Sequence, residues 1–316
     1  MSRDHHHHHA GKNLGIAFFL NLVFTVIEVI GGVLTNSIAI LSDALHDFGD
    51  TLSLGLAWYF EKISNKQPTE QHTYGYKRFR LLGGLITGLV LVAGLSVVLW
   101  NAVQRLAAPE IVHAEGTMAL AALGIIVNGL AVLQVRSGSS LTEKVVSWHL
   151  LEDVLGWVAV LVGAAAMAIW DLPVIDSILS IGISLFVLWN VARNLKQVIM
   201  VFLQTVPEGF DVKDFENRVN ALPGVSSIHH LHLWSLDGED HVLTLHVVLS
   251  PNTERDREVA IKGEIHNLLG EHEFTHVTIA TEWEGEPCPA KNPWGLKQVC
   301  TQVDPNNPDK SHRPGF

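Results

Sequence analysis

Histidine and aspartate occur as two pairs, each four residues apart, within apolar stretches of the chain. His46 and Asp50 lie in the segment SDALHDFGDTL, and His149 and Asp153 lie in SWHLLEDVLGW. On an α-helix, residues i and i+4 share a face and lie a few ångströms apart. Because zinc is bound tetrahedrally by imidazole and carboxylate groups, the two pairs together can supply the four ligands of one divalent ion.

A structural role is the alternative to a metal site. One histidine–aspartate pair can equally line a polar seam between helices, because ionisable groups in membranes usually face the bundle interior or water. However, His46 and His149 are the only histidines in the membrane spans predicted below. Two carboxylates would also balance the charge of a dication in a low dielectric. The duplication therefore favours a site for Zn²⁺, with Cd²⁺, Co²⁺, Ni²⁺ and iron as alternative ions.

The composition indicates a membrane protein. Of 316 residues, 48% are hydrophobic and only 17% are charged, and the mean hydropathy is +0.26. The net charge of −11 argues against nucleic acid as a partner, which would require a basic face. The chain has neither a P-loop pattern for a nucleotide nor the HExxH pattern of a metalloprotease, so we do not expect an enzyme.

Six apolar segments have lengths close to the ~20 residues that a bilayer requires. Lys and Arg concentrate in the loop after the second segment, beside the loop after the fourth, and at the end of the sixth. The positive-inside rule therefore places both termini in the cytoplasm. The predicted spans are Leu14–Thr35, Ser37–Phe60, Leu81–Leu106, Thr117–Val135, Val145–Ile169 and Val174–Phe202.

The pattern changes after the sixth span. Residues 208–285 alternate between amphipathic helical segments and strand-like segments in the order αββαβ. This order predicts a small ferredoxin-like α+β domain beside a six-helix transmembrane domain at 14–207. We expect a disordered tail at 286–316, in which Cys288 is a weak candidate ligand, and a His-rich cytoplasmic segment at 1–13. The His5–His9 tract in that segment is either native metal-capturing sequence or a tag remnant, and its flanks favour native sequence.

Other polar side chains within the spans are predicted to have structural roles. Asp43 and Asp47 lie on other parts of the second helix than the His–Asp pair, and Asp43 is expected to line a polar seam rather than to relay ions. Glu152 points about 100° away from its neighbour Asp153. The expected interhelical hydrogen-bonding groups are Asn21, Glu28, Asn128 and Asp176.

Taken together, these motifs resemble the cation diffusion facilitator family of proton-coupled metal exporters. The resemblance covers the six spans, the HxxxD pattern in spans 2 and 5, and the αββαβ domain. It also includes HTYGYKR at 72–78 and HHLHLWSL at 229–236. It implies that the two HxxxD pairs form the transport site of a homodimer that works by alternating access. The short loop between spans 4 and 5 lacks the His-rich insertion of eukaryotic relatives, which favours a bacterial inner membrane.

The same resemblance implies a second, cytoplasmic metal site, where Zn²⁺ would act as a regulatory ligand. Its implied ligands are His229, His246 and Glu282, with His276 as an outer candidate. A two-residue turn at Asp237-Gly238 would place residue 229 opposite residue 246, but it would also put the leucines of the two strands on opposite faces. A shift of one residue brings His232 to residue 246 instead, and a β-bulge can reconcile both patterns.

Ligand protonation gives the expected mechanism. Zinc binds neutral imidazole and ionised carboxylate, so the site loads from a near-neutral cytoplasm. When the site faces a more acidic exterior, His46 and His149 take up protons as the metal leaves. The sequence therefore predicts efflux of divalent cations in exchange for protons, with Zn²⁺ as the main substrate. The alternative is a membrane-anchored metal sensor with a His-rich cytoplasmic domain, but such a protein would not need HxxxD twice in the membrane.

Overall fold

The computed structural model describes residues 7–135, 141–270 and 274–286, with side chains described from residue 18 onward except for 131, 134, 135 and 141–150. The chain divides into two compact units, the second of which begins at Val201. The first unit consists of long helices. They are α1 His7–Thr35, α2 Ile38–Ser64, α3 Phe79–Ala107, α4 Ala114–Val135, α5 Leu141–Trp170 and α6 Val174–Phe202.

Four of these helices are long and apolar enough to cross a membrane. They are α1 over Phe18–Thr35, α3, α5 over Leu151–Trp170, and α6. The apolar stretch of α4 is shorter, at Ala114–Leu130. Helix α2 differs because three aspartates interrupt its apolar sequence within eight residues, at Asp43, Asp47 and Asp50. The expectation of six spans is thus met by length and composition for four helices, and for α2 and α4 it stays a prediction.

The helical unit is apolar outside and polar inside. Its most exposed side chains include Leu34 and Trp189, each more than 70% accessible. Its interior holds hydroxyl and carboxyl groups, and a 2.6 Å hydrogen bond joins Ser42 on α2 to Ser180 on α6. A soluble protein has the opposite arrangement. The distribution is that of a helical bundle whose outer surface faces lipid and whose polar groups face one another.

The start of α2 is fixed by a carboxylate from another helix. Ser37 caps α2, and its side chain accepts a hydrogen bond from the backbone N–H of Ile40. Asp176 on α6 accepts from the Ser37 hydroxyl at 2.5 Å and from the N–H of Ile38 at 2.7 Å. A buried carboxylate is stabilised there because the first N–H groups of a helix lack partners within the helix. This contact confirms the interhelical role predicted for Asp176 and holds α2 in place.

The second unit is a three-stranded sheet with helices packed on it. Its elements follow the αββαβ order that the sequence predicts. Strands β1 and β2 are antiparallel, β2 and β3 are parallel, and β2 lies in the centre. The central strand contributes Leu243, Leu245 and Val247 to the core, which Ile261 and Ile265 of the second helix complete. The elements are α7 Val212–Asn220, β1 Val225–Ser235, β2 His241–Leu249, α8 Arg255–Leu268 and β3 Phe274–Trp283.

The hairpin between β1 and β2 differs from the predicted two-residue turn. Five residues, 236–240, connect the strands. The Asp237 carboxylate closes the loop by accepting from the N–H groups of the two residues at 239 and 240. The pairing register also shifts between His229 and His232. This β-bulge is the reconciliation that the sequence left open, because His229 pairs with His246 while the leucines of both strands still face the core.

Candidate metal centres

The first candidate centre lies where α2 and α5 meet in the helical unit. The Nε2 atom of His46 lies 3.9 Å from Oδ2 of Asp50 and 3.7 Å from Oδ1 of Asp153. The Asp153 side chain is only 11% exposed. Among the described residues, its Oδ1 has no hydrogen-bond partner. The arrangement therefore brings three of the four expected transport-site residues to one place.

The separations at this centre are those of ligands rather than of hydrogen-bonded partners. Distances of 3.7 and 3.9 Å exceed the range of an N–H···O bond. Two ligands of one tetrahedral zinc, each about 2.0–2.1 Å from the metal, lie roughly 3.3 Å apart. Asp50 and Asp153 therefore each lie only a few tenths of an ångström farther from Nε2 of His46 than a second ligand of the same zinc ion would. An unsolvated carboxylate oxygen facing an imidazole is also costly to bury unless a cation joins them.

The remaining expected ligand, His149, lies on α5 one helical turn before Asp153. Its side chain falls outside the described part of the structure. The next residues show how the helix is oriented. Asp153 is partly buried towards α2, whereas Glu152 is exposed, as expected for residues about 100° apart on a helix.

Asp47 lies close to this centre, whereas the sequence interpretation placed it on another part of the helix. Ligating atoms of His46, Asp47 and Asp50 all lie within 4.8 Å of one another. The missed signal is the spacing of three between Asp47 and Asp50, which also brings side chains together on a helix. Close packing supports this segment, because a Cβ atom on Gly49 would fall 2.6 Å from Leu91 on α3.

Glu28 on α1 adds a further buried carboxyl group behind the centre. Its side chain is 1% exposed, and neither of its oxygens meets a hydrogen-bond donor among the described residues. The carboxyl groups of Asp47, Asp43 and Asp153 lie close enough to interact with it electrostatically. The predicted role of Glu28 as an ordinary interhelical hydrogen-bonding group is therefore incomplete. Carboxyl groups are therefore concentrated where a cation would be held.

Two asparagines are predicted to form hydrogen bonds between helices, and the described residues supply a partner for only one of them. Asn21 on α1 donates to the backbone carbonyl of Asp47 at 3.2 Å and to the Thr51 hydroxyl at 3.1 Å, which confirms its role. For Asn128 on α4, the Nδ2 atom has no acceptor within the described part of the chain. Asn21 thus supports the backbone of α2 beside the candidate ligands.

The second candidate centre lies on the sheet of the C-terminal unit. Nδ1 of His246 is 2.6 Å from Oε1 of Glu282, and Nε2 of His229 is 3.0 Å from Oε2 of the same carboxylate. Ligating atoms of all three residues lie within 4.8 Å of one another. Glu282 is buried, and both imidazoles are partly buried. These are the three residues that the family resemblance implies for a cytoplasmic site.

Strand register explains why these three side chains meet. His229 pairs with His246, and His246 pairs with Ala280, which shares its face of β3 with Glu282. Burial lowers the pKa of His229, and the neighbouring Glu282 carboxylate opposes that shift only in part. The His229 imidazole is thereby kept in the neutral form that binds metal near pH 7.

The two further cytoplasmic candidates lie farther from this cluster. His232 is exposed and pairs with Thr244, three positions along β1 from His229. His276 is exposed near the start of β3, six residues before Glu282, or roughly 20 Å along a strand. The side chains of His5–His9 and the tail from residue 287, including Cys288, lie outside the described residues.

Comparisons with known proteins agree with both units. Residues 14–203 match the cation efflux transmembrane domain, and residues 207–283 match the cytoplasmic domain of cation efflux proteins. The chain is 34% identical over 294 residues to the metal cation efflux system protein CzcD of Cupriavidus metallidurans, covering 91% of this chain and 92% of that protein. It is 34% identical over 284 residues to the zinc transporter ZitB of Escherichia coli, covering 88% of each.

A third relative widens the range of named ions. The chain is 31% identical over 286 residues to a cadmium, cobalt and zinc/H(+)-K(+) antiporter of Bacillus velezensis, covering 88% of this chain and 91% of that protein. Matched domains and relatives thus agree on an integral membrane transporter of metal cations with a cytoplasmic dimerisation domain. The chain belongs to the cation diffusion facilitator family.

Proposed function

We propose that this protein exports divalent metal ions from the cytoplasm in exchange for protons, with Zn²⁺ as the main substrate. The ion would be held by His46, Asp50, His149 and Asp153 between α2 and α5. The observation that carries the proposal is the buried Oδ1 of Asp153, which faces the His46 imidazole at 3.7 Å and has no hydrogen-bond partner among the described side chains. This arrangement suits a cation better than a structural pair, in which the imidazole would be expected to donate to the carboxylate.

Proton exchange follows from the chemistry of the proposed ligands. Imidazole must be neutral to bind zinc, and carboxylates bind it in their ionised form. In a site open to an acidic exterior, protons therefore compete with the metal for the same atoms. Because these atoms come from two helices, releasing the ion also removes the bridge between α2 and α5. Loaded and protonated sites can thus favour different helix arrangements, which is what alternating access requires.

The membrane arrangement is part of the proposal. We infer six spans with both termini in the cytoplasm of a bacterial cell, a transmembrane domain at 14–207 and a cytoplasmic domain at 208–285. We also infer a homodimer, which the match to the dimerisation domain supports. The choice of zinc rests on the two imidazoles, because the relatives are named for zinc alone or for zinc with cadmium and cobalt.

The cytoplasmic centre is proposed to regulate transport rather than to carry it. His229, His246 and Glu282 lie on the sheet of the second unit. A metal ion there would bind when cytoplasmic metal is high and would stabilise this domain by mass action. Loss of the membrane site should then abolish transport, whereas loss of the cytoplasmic site should only reduce it.

Flux across sealed proteoliposomes tests the proposal. Purified protein is reconstituted with a metal-sensitive dye inside the vesicles, and an outward proton gradient is imposed. We expect Zn²⁺ uptake that rises with the gradient and collapses when an ionophore dissipates it. A panel of Cd²⁺, Co²⁺, Ni²⁺ and Fe²⁺ gives the ion order. A membrane-anchored sensor would bind Zn²⁺ under these conditions without any uptake, which would overturn the proposal.

A further inference from the structure

His230 stands at the β-bulge of β1, within the register shift between His229 and His232. In a regular strand, its side chain would point away from that of His229, because neighbouring residues face opposite sides of a sheet. Here the His230 ring lies beside the cluster instead. Its centroid is 5.2 Å from that of His229 and 5.2 Å from that of His246. The bulge thus turns an additional imidazole towards the same face as the other two.

The centroids of the three rings are equally spaced. The centroids of His229 and His246 are also 5.2 Å apart, so the three separations are equal. The rings are tilted by 48° to 66° relative to one another rather than stacked. Imidazoles that share a tetrahedral ion approach it from different directions in this way. Glu282 supplies the remaining direction, since its two oxygens contact His229 and His246.

The backbone at His230 is held in an uncommon conformation. Its φ is +50°, a region that residues other than glycine seldom adopt. Bulges that need positive φ commonly place glycine there, which would avoid the strain. Strained conformations of larger residues persist where the side chain has a role. A histidine at this position therefore needs a reason beyond the geometry of the turn.

We propose that His230 is the fourth protein ligand of the cytoplasmic metal centre, with His229, His246 and Glu282. This inference rests on the proposed cytoplasmic site and adds one ligand to it. Three neutral imidazoles and one carboxylate suit Zn²⁺ or Co²⁺ and disfavour Mg²⁺ and Ca²⁺, which take oxygen ligands. Four protein ligands also close the coordination shell, as in structural zinc sites, and leave no position for an exchanging water. The ion is therefore retained in the cytoplasmic domain rather than handed on.

The test uses the full-length protein in detergent, with other strong sites removed. In the background, Asp50→Asn and Asp153→Asn disable the membrane centre, and His5–His9 are replaced by glutamine. His230→Asn is the informative variant, because asparagine tolerates positive φ and is a poor zinc ligand. His230→Gly relieves the backbone strain as well. The matched control is His266→Ala, which removes an exposed imidazole from α8.

Two measurements are made on each variant. Competition with a zinc chelator gives the affinity, and X-ray absorption at the zinc edge counts the imidazoles bound to the ion. We expect His230→Asn and His230→Gly to lower the affinity at least about tenfold, because outer-shell partners alone contribute that much. The imidazole count should fall from three to two, and His266→Ala should change neither value. Thermal unfolding of the metal-free variants confirms that each is folded.

The outcomes separate this inference from the proposal beneath it. If His229→Ala and His246→Ala lower the affinity and His230→Asn does not, the fourth ligand is not His230 and the three-residue site stands. If none of these variants changes the affinity, the cytoplasmic site itself is refuted. A His230→Gly protein that is more stable without metal but has lost affinity would show directly that the strain serves the metal.

Discussion

The Nε2 atom of His46 on α2 lies 3.7 Å from Oδ1 of Asp153 on α5. This contact joins two helices that are about a hundred residues apart in the chain, at a point where both are partly buried. Neither the helix backbone nor a hydrogen bond accounts for it, because the distance is too long for the latter. A shared cation accounts for both the proximity and the gap.

Replacing His46 with aspartate should weaken discrimination against cadmium. His46→Asp adds an oxygen ligand and a negative charge, which makes the site less specific for a small tetrahedral ion. We expect the ratio of cadmium to zinc transport to rise roughly tenfold, equivalent to ~1.4 kcal/mol of relative affinity. Both ions are assayed in the same vesicle preparation. An unchanged ratio would show that this position does not set selectivity.

The buried carboxyl of Glu28 gives a matched pair of stability predictions. Glu28→Gln keeps the shape of the side chain and offers an N–H group to the Asp47 carboxylate. Its effect on the free energy of unfolding should be within about 1 kcal/mol. Glu28→Ala leaves a cavity in a buried position, and it should cost ~2–4 kcal/mol. Thermal unfolding in detergent compares the two, and equal losses would contradict the inferred proximity of Glu28 to Asp47.

The contact between Asp176 and the start of α2 should be one of the strongest in the helical unit. Asp176→Ala leaves the Ser37 hydroxyl and the N–H of Ile38 buried without an acceptor, and it should destabilise the protein by ~2–4 kcal/mol. Asp176→Asn retains one acceptor and should cost less. Transport per folded molecule should change little in either variant, because Asp176 is not one of the proposed ligands of the ion. A variant that folds normally but does not transport would assign Asp176 to the ion pathway.

The sequence predicts much of this arrangement because its signals are local. HxxxD places two side chains on one helical face regardless of the rest of the fold, and the αββαβ order follows from hydrophobic periodicity. The spacing of three between Asp47 and Asp50 is an equally local signal. The packing of Glu28 from α1 close to Asp47 is a tertiary relationship, which the spacing along one helix does not predict.

The sheet illustrates the same limit. The leucines indicate which face of both strands lies towards the core. The hydrophobic pattern does not indicate where the bulge that aligns His229 with His246 lies. The turn at Asp237-Gly238 was recognisable by its residues, yet its length was not. Alternation alone would place His230 on the opposite face from His229. Only the backbone conformation at the bulge reveals which imidazoles meet.

Removing the cytoplasmic ligands should reduce transport without abolishing it. In the double variant His229→Ala with His246→Ala, zinc should no longer raise the melting temperature of the cytoplasmic domain in the full-length dimer. Flux should fall but stay well above that of empty vesicles, because the membrane centre is intact. Differential scanning fluorimetry with and without zinc is run beside the flux assay. Complete loss of flux in a folded dimer would mean that the cytoplasmic site lies on the transport path.

The most direct test of the metal centre between α2 and α5 is zinc flux through Asp153→Asn. Asparagine preserves the shape and polarity of aspartate but is a poor zinc ligand and carries no charge. A structural seam would tolerate this change, whereas a metal ligand would not. The measurement is proton-driven zinc uptake into proteoliposomes, normalised to folded dimer, with Asp153→Ala as the reference for complete loss of the ligand. We predict that Asp153→Asn lowers flux at least about a hundredfold, to the level of Asp153→Ala, and near-normal flux would contradict the account.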